Sequence, residues 1–212
     1  MRRAAEEARY LEDRGYPQDS AVRYVSDHHR LPEERRFVLC RTVVAGEVAQ
    51  RRMAKSVGLS ALAGKTVFVD GYNVLITVES LLGGFPVYLC DDGFLRDTRG
   101  LFSGYKSSPS TAAALIEILD ILAGARPALV VVLLDGQISR SGELAGQMRE
   151  QMGKLGLPGE VRAARDVDHQ LKVRGGQGIV ASSDGNVIDS ISQAIDLPAE
   201  IAARRGIIPR RI

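Results

Sequence analysis

Three apolar runs in this chain finish in the same pair of residues. Thr66-Val67-Phe68-Val69 runs into Asp70-Gly71, Ala128 to Leu134 into Asp135-Gly136, and Gly178 to Ser183 into Asp184-Gly185. Short runs rich in β-branched and aliphatic residues read as buried strands, and strands apolar on both sides belong to parallel sheets covered by helices. Helical patterns alternate with them, so the expected fold is α/β with a mainly parallel sheet. Each Asp then stands at a strand's carboxyl end, the edge where open α/β sheets bind ligands. If the three strands are neighbours, their carboxylates converge, and like charges held that close resist ionisation unless a cation or a proton lies between them. An oxygen-only cluster of this kind suits Mg²⁺ or Mn²⁺.

Asn73, three residues beyond Asp70, reaches the same site if the chain turns directly after Gly71; otherwise it caps a helix. Val74 to Leu82 is ambiguous between helix and strand. Gly83-Gly84 turns the chain into Val87-Tyr88-Leu89-Cys90, which makes a hairpin an option. The stretch from Phe94 to Pro109 reads as a long loop carrying Arg96, Arg99, Tyr105 and Lys106, residue types that suit a phosphate and base cradle. Ser139-Arg140-Ser141 either contacts phosphate or caps the helix that follows, and a helix N-terminus accommodates both roles. Asp166 and Asp168 sit at the head of a short helix, where one of them is expected to cap it.

Ahead of the first strand, residues 1–60 read as a separate helical domain. Apolar positions fall at helical spacing in three segments, the last carrying Phe37, Val38, Cys40, Val43, Val44 and Val48 inward and leaving Arg35, Arg36, Arg41, Arg51 and Arg52 outside. This is either a helix-turn-helix reader of nucleic acid or a protein-interaction module. The segment holds twelve Lys/Arg against nine Asp/Glu, and the rest of the chain sixteen against seventeen, so the basic excess is mild and lies in the helices. Residues 61–212 form the α/β domain. His28 and His29 are adjacent, point apart on an ideal helix, and read as surface residues.

Two motifs are traps. Gly58 to Thr66 has the glycine, lysine and threonine of a P-loop, but five residues intervene where four are needed, and the segment enters a strand. Gly176-x-Gly178-x-x-Ala181 likewise precedes a strand, which excludes a dinucleotide fingerprint. Cys40 and Cys90 are isolated from each other, as expected of a reducing cytoplasm, and exclude a disulfide framework. The opening residues carry acids and lack an apolar stretch, so no signal peptide is expected, and no run is long enough to span a membrane.

Val69-Asp70-Gly71-Tyr72-Asn73, Leu134-Asp135, Arg165-Asp166-Val167-Asp168 and Ala181-Ser182-Ser183-Asp184-Gly185 occur in an order that resembles the PIN-like and NYN ribonuclease folds. Cys90 to Asp97 and Leu134 to Gly142 look more closely like an uncharacterised, largely archaeal prokaryotic family that joins a short helical domain to a PIN-like domain. The resemblance implies a three-layer α/β domain in which Asp70, Asn73, Asp135, Asp168 and Asp184 serve a Mg²⁺ or Mn²⁺ centre. The family motif often carries an acid where Asn186 stands, and Asp189 is the residue placed to compensate. The implied activity is a metal-dependent nuclease acting on RNA, with Arg96, Arg99, Lys106, Ser139, Arg140 and Ser141 along the phosphates. The rivals are a non-enzymatic, toxin-like nucleic-acid-binding regulator with a weakened metal site, and a small-molecule phosphohydrolase. A second copy or a protein partner would attach through the helical domain or the arginine-rich tail after Pro198.

Overall fold

The computed structural model describes residues 1–99, 105 and 109–212. Four helices come first: α1 (Arg2–Glu12), α2 (Gln18–His28), α3 (Glu33–Thr42) and α4 (Gly46–Met53). Ala4, Ala5, Ala8, Val22, Val25, Leu39 and Val43 form their shared core. The sequence read α3 and α4 as one helix. They are separate because the β-branched Val43 is extended (φ −95°, ψ 134°), while the Gln18 amide donates to the carbonyls of Cys40 and Val43 and closes the end of α3. Asp91 continues the break, since its N–H donates to Thr42 and its carboxylate accepts from Val44.

The α/β domain follows as β1 (Thr66–Asp70), α5 (Gly71–Leu82), β2 (Val87–Leu89), β3 (Leu95–Asp97), α6 (Pro109–Ala125), β4 (Leu129–Asp135), α7 (Ser141–Leu155), β5 (Gly159–Ala164), α8 (Val167–Arg174), β6 (Ile179–Ala181), α9 (Gly185–Ser190), β7 (Ala194–Ile195) and α10 (Leu197–Arg205). Five strands make one parallel sheet in the order β5-β4-β1-β6-β7. The three strands that lead to Asp70, Asp135 and Asp184 are therefore adjacent, with Phe68 beside both Val131 and Val180.

Alternation along these strands divides the core between two faces, because successive side chains leave a strand on opposite sides. Val67, Val69, Val130, Val132 and Leu134 pack with Leu75, Leu119, Leu122 and Met148 from the helices of one face. Phe68, Val131, Leu133 and Val180 pack with Leu171, Val187 and Ile188 on the other. Helix α5 resolves the ambiguity at Val74 to Leu82: residues 71–81 are all buried, so no polar face exists to reveal the helical period. The hairpin is formed by β2 and β3 around Asp91-Asp92-Gly93, rather than by Gly83-Gly84.

Two strand borders, one in each sheet, are covered. The link after α4 lies along β7, where Val57 donates to Ala194 and Ala194 to Lys55. The C-terminal tail lies along β2, with Arg210 N–H on Val87 and Leu89 N–H on Arg210. The backbone of the arginine-rich tail thus covers a sheet edge of its own chain. No described helix is long and apolar enough to cross a membrane.

Candidate carboxylate site at the strand ends

The turn from β1 into α5 brings Asp70 and Asn73 to the carboxyl edge of the sheet. Gly71 permits this turn: a Cβ there would stand 2.6 Å from Leu134 Cδ2 and 2.8 Å from the Leu133 carbonyl. Asp70 is buried and accepts a hydrogen bond from Ser182 Oγ at 2.8 Å. Ser182 Oγ in turn accepts from the Asp184 N–H at 3.1 Å, so one hydroxyl ties the ends of β1 and β6 together. Asn73 Oδ1 accepts from both the N–H (2.9 Å) and the hydroxyl (3.0 Å) of Ser183. A backbone N–H has to donate, which fixes the amide orientation and commits its oxygen to the scaffold.

A cavity of about 310 Å³ opens here, walled by Asp70, Asn73, Asp135, Asp168 and Asp184. Asp135 closes β4 and accepts from the Gln137 N–H at 2.8 Å. Asp184 is the N-cap of α9 and accepts from the Asn186 N–H at 2.7 Å. Asp168 lies in the first turn of α8, behind Asp166 at the cap position. Burial pushes the Asp70 carboxyl up to about 7, with the Ser182 hydrogen bond opposing and the charges of Asp168 and Asp184 reinforcing. Burial also raises Asp168, reinforced by Asp184 and Asp135 and opposed by Lys172. The carboxylates thus feel each other across the cavity, although among the described residues no three of them bring oxygens within 4.8 Å of one another.

Arg41, Tyr72 and Ile138 complete the wall. Burial, with the Asp135 charge, raises the Tyr72 phenol to about 12. Arg41 comes from α3, so the helical domain places a cation at the carboxylate cluster.

Several expected site residues lie elsewhere. Asp189 is not a member of the cavity wall: it forms a two-pronged pair with Arg52, at 2.9 and 2.8 Å, which lowers its carboxyl. Arg96 is buried in β3 rather than set in a loop. It grips Asp92 with two bonds of 2.8 and 2.6 Å and donates its Nε to the Ser183 carbonyl at 2.7 Å. Its guanidinium is consumed by the scaffold and is unavailable to phosphate. Arg99 donates to the Ile76 carbonyl at 3.2 Å and lies over the Phe85 ring, away from the cavity. Ser139 and Arg140 are exposed and Ser141 is buried as the first residue of α7; their neighbour Ile138 is the one lining the cavity. Lys106 lies outside the described residues. Arg41 and Arg52, read as outward-facing, both turn toward the α/β domain, Arg52 pairing with Asp92 at 3.0 Å as well as with Asp189.

Residues 59–200 match the family described as "Domain of unknown function (DUF5616)". The chain belongs to this family. In this DUF5616 protein the preceding residues 1–55 match a second family, "Protein of unknown function (DUF434)". The "Uncharacterized protein MJ0935" of Methanocaldococcus jannaschii is 35% identical over 202 residues, which cover 94% of this chain and 95% of the relative. No solved structure matches. The DUF5616 stretch contains Asp70, Asn73, Asp135, Asp168 and Asp184, whereas Arg41 lies in the DUF434 stretch.

Proposed function

We propose that the cavity is the hydrolytic centre of a PIN-like, metal-dependent nuclease acting on RNA. The observation that carries this reading is the convergence of Asp70, Asp135, Asp168 and Asp184 on one cavity at the ends of adjacent parallel strands. The donor set fits a hard divalent cation, since every candidate ligand is oxygen, and burial together with the charges of Asp168 and Asp184 disfavours the ionised form of Asp70, which a bound cation would offset. Asp70, Asp135, Asp168 and Asp184 would hold Mg²⁺ or Mn²⁺, which when bound makes water more acidic and offsets charge growing on a phosphoryl group.

The chain's own residues supply the remainder. Ser182 aligns Asp70, and the Arg96–Ser183–Asn73 relay holds the floor of the cavity rigid. Arg41 faces the carboxylates as the cation for a phosphate oxygen, in the role that the sequence reading assigned to Arg96 and Arg99. Asn73 presents its amide nitrogen, because its oxygen is already bonded. RNA is favoured over DNA by the resemblance of the ordered motifs to the NYN ribonuclease fold.

A second reading has its own support. Asp135 and Asp184 each spend one oxygen capping the turn behind them, and the carboxylates stand apart. That suits a regulator that binds nucleic acid at a weakened metal site. The two readings separate in one assay of single-stranded RNA, duplex RNA and nucleoside monophosphates, each with Mn²⁺, Mg²⁺ or chelator. The nuclease reading expects RNA cleavage that stops in chelator and falls at least about a hundredfold in Asp70→Asn, the loss typical when an electrostatic contact to the transition state is removed. RNA binding without cleavage supports the regulator, and hydrolysis confined to monophosphates supports the phosphohydrolase. Cleavage unaffected by Asp70→Asn would refute the assignment of this cavity.

A further inference from the structure

The helical domain holds a second group of metal-ligating side chains, unrelated to the carboxylate cavity. Glu7 on α1 and His28 and His29 at the end of α2 each offer one ligand atom, and these atoms lie within 4.8 Å of one another. Among the described residues this is the one set of three His, Cys, Asp or Glu side chains so close. We infer that Glu7, His28 and His29 form a binding site for a borderline-soft divalent ion of the Zn²⁺ type, which joins α1 to the turn between α2 and α3.

Adjacent histidines point apart inside a helix, but these two straddle a helix end. His28 is the last residue of α2, and His29 follows it at φ −86°, ψ 1° before Arg30 takes the left-handed conformation (φ 50°). The bend leaves the rings edge to face, 5.0 Å between centroids. Glu7 comes across from α1, its Oε2 2.6 Å from His29 Nε2, while Arg3 Nε donates to its other oxygen, Oε1, at 3.2 Å. Arg3 therefore orients the carboxylate so that Oε2 faces the histidines.

Two imidazoles and one carboxylate are a set that Zn²⁺ takes at bond lengths of roughly 2.0–2.1 Å, which in a tetrahedron separates neighbouring ligand atoms by about 3.3 Å. The three atoms, all within 4.8 Å of one another, already stand near that spacing. The last carbonyls of α2 put the negative end of its dipole near the ion. Water fills the fourth position, since His28 is exposed and His29 and Glu7 are half-buried. Ligands drawn from two helices meet only in the folded domain, so the ion stabilises the packing of α1 against α2.

The test uses the full-length chain, stripped by chelator and returned to chelator-free buffer. Zn²⁺ is titrated into wild type, into His28→Ala, into the His28→Ala/His29→Ala pair, and into Asp70→Asn, which disables the other cavity. Co²⁺ serves as a spectroscopic probe of low-coordinate nitrogen ligation. Circular dichroism checks folding, and His28→Ala, at an exposed position, keeps the comparison valid if the pair misfolds. Wild type and Asp70→Asn are both expected to bind Zn²⁺ at the helical-domain site, with a raised melting temperature and intense visible Co²⁺ absorption. His28→Ala is expected to bind at least tenfold more weakly, and the pair to lose both signals. Zn²⁺ affinity and melting shift equal in wild type and His28→Ala, or no Zn²⁺ bound by wild type at 100-fold molar excess, overturns the inference.

Discussion

Replacing Asp70 by Asn in the metal-free protein isolates the electrostatic tension of the carboxylate cavity. The folded carboxyl is held at about 7 against an ordinary value of 3.8, first by burial and then by Asp168 and Asp184. In the unfolded chain Asp70 gives up its proton near pH 4, while the folded protein retains it until about pH 7. Folding therefore carries an extra proton through this window, and stability must fall as pH rises across it. At about 1.4 kcal/mol for each pH unit, the interval from 3.8 to about 7 sets a ceiling of about 4 kcal/mol. Water entry and side-chain rearrangement reduce this, so a loss of about 2 kcal/mol between pH 4.5 and pH 8 is expected in chelator. Asn keeps the acceptor for Ser182 Oγ and removes the charge, so the substituted protein should match wild type near pH 4.5 and exceed it by about 2 kcal/mol at pH 8. Urea denaturation of both proteins across that range measures the difference directly. Mn²⁺ should restore wild type at pH 8 and do much less for the variant. Parallel pH profiles in chelator would show that Asp70 is not a strained carboxyl, and the argument for a cation-seeking site would fail with them.

Two further perturbations test the scaffold. Burial raises the Glu12 carboxyl to about 7, opposed by a hydrogen bond from the Ala45 N–H and reinforced by Asp91 and Asp13. Its unfolded counterpart ionises near 4.5, so stability again drains away from pH 4.5 to 7; Glu12→Gln should remove a pH dependence of at most about 3 kcal/mol, read as the difference between the two urea profiles. Arg96→Met leaves the fully buried Asp92 with Arg52 and the Phe94 N–H as its partners and the Ser183 carbonyl without its guanidinium donor, an expected cost of about 3–5 kcal/mol. Adding Asp92→Asn should recover part of that loss, and strictly additive losses in the double variant would mean that the pair is not coupled.

The error over Arg96, Arg99 and Asp189 came from one assumption, that a charged residue near a carboxylate motif serves the site. In this protein the nearby charges mainly serve each other. Arg96 lies in β3 and is 4% exposed, a burial that Leu95-Arg96-Asp97 does not advertise because its neighbours are also charged or apolar in no clear period. Asp189 stands just past the middle of a turn from Val187 and reads as a helix-start acid until Arg52, 137 residues away, is placed beside it. Arg41 had no local signal either: on α3 it is one arginine among several, and only docking of the helices against the hairpin turns it toward Asp70.

What the sequence determined by itself is local. Three apolar runs ending in Asp marked β1, β4 and the approach to Asp184, and a side-chain period of two or of 3.6 is written in neighbouring residues. The parallel sheet, the helical start of the chain and the gathering of Asp70, Asp135 and Asp184 at one edge followed from that pattern, Asn73 joining them on condition of a turn after Gly71, whereas Asp168 was implied only by the family resemblance. Pairing of charges across the fold was left to the tertiary structure. Arg52 reaches Asp92 and Asp189, and Arg9 reaches Asp91, over separations of 40 to 137 residues. A long side chain at a half-buried position has several partners within reach, and the winner is set by which surfaces the apolar cores bring together, information carried by no short stretch of sequence.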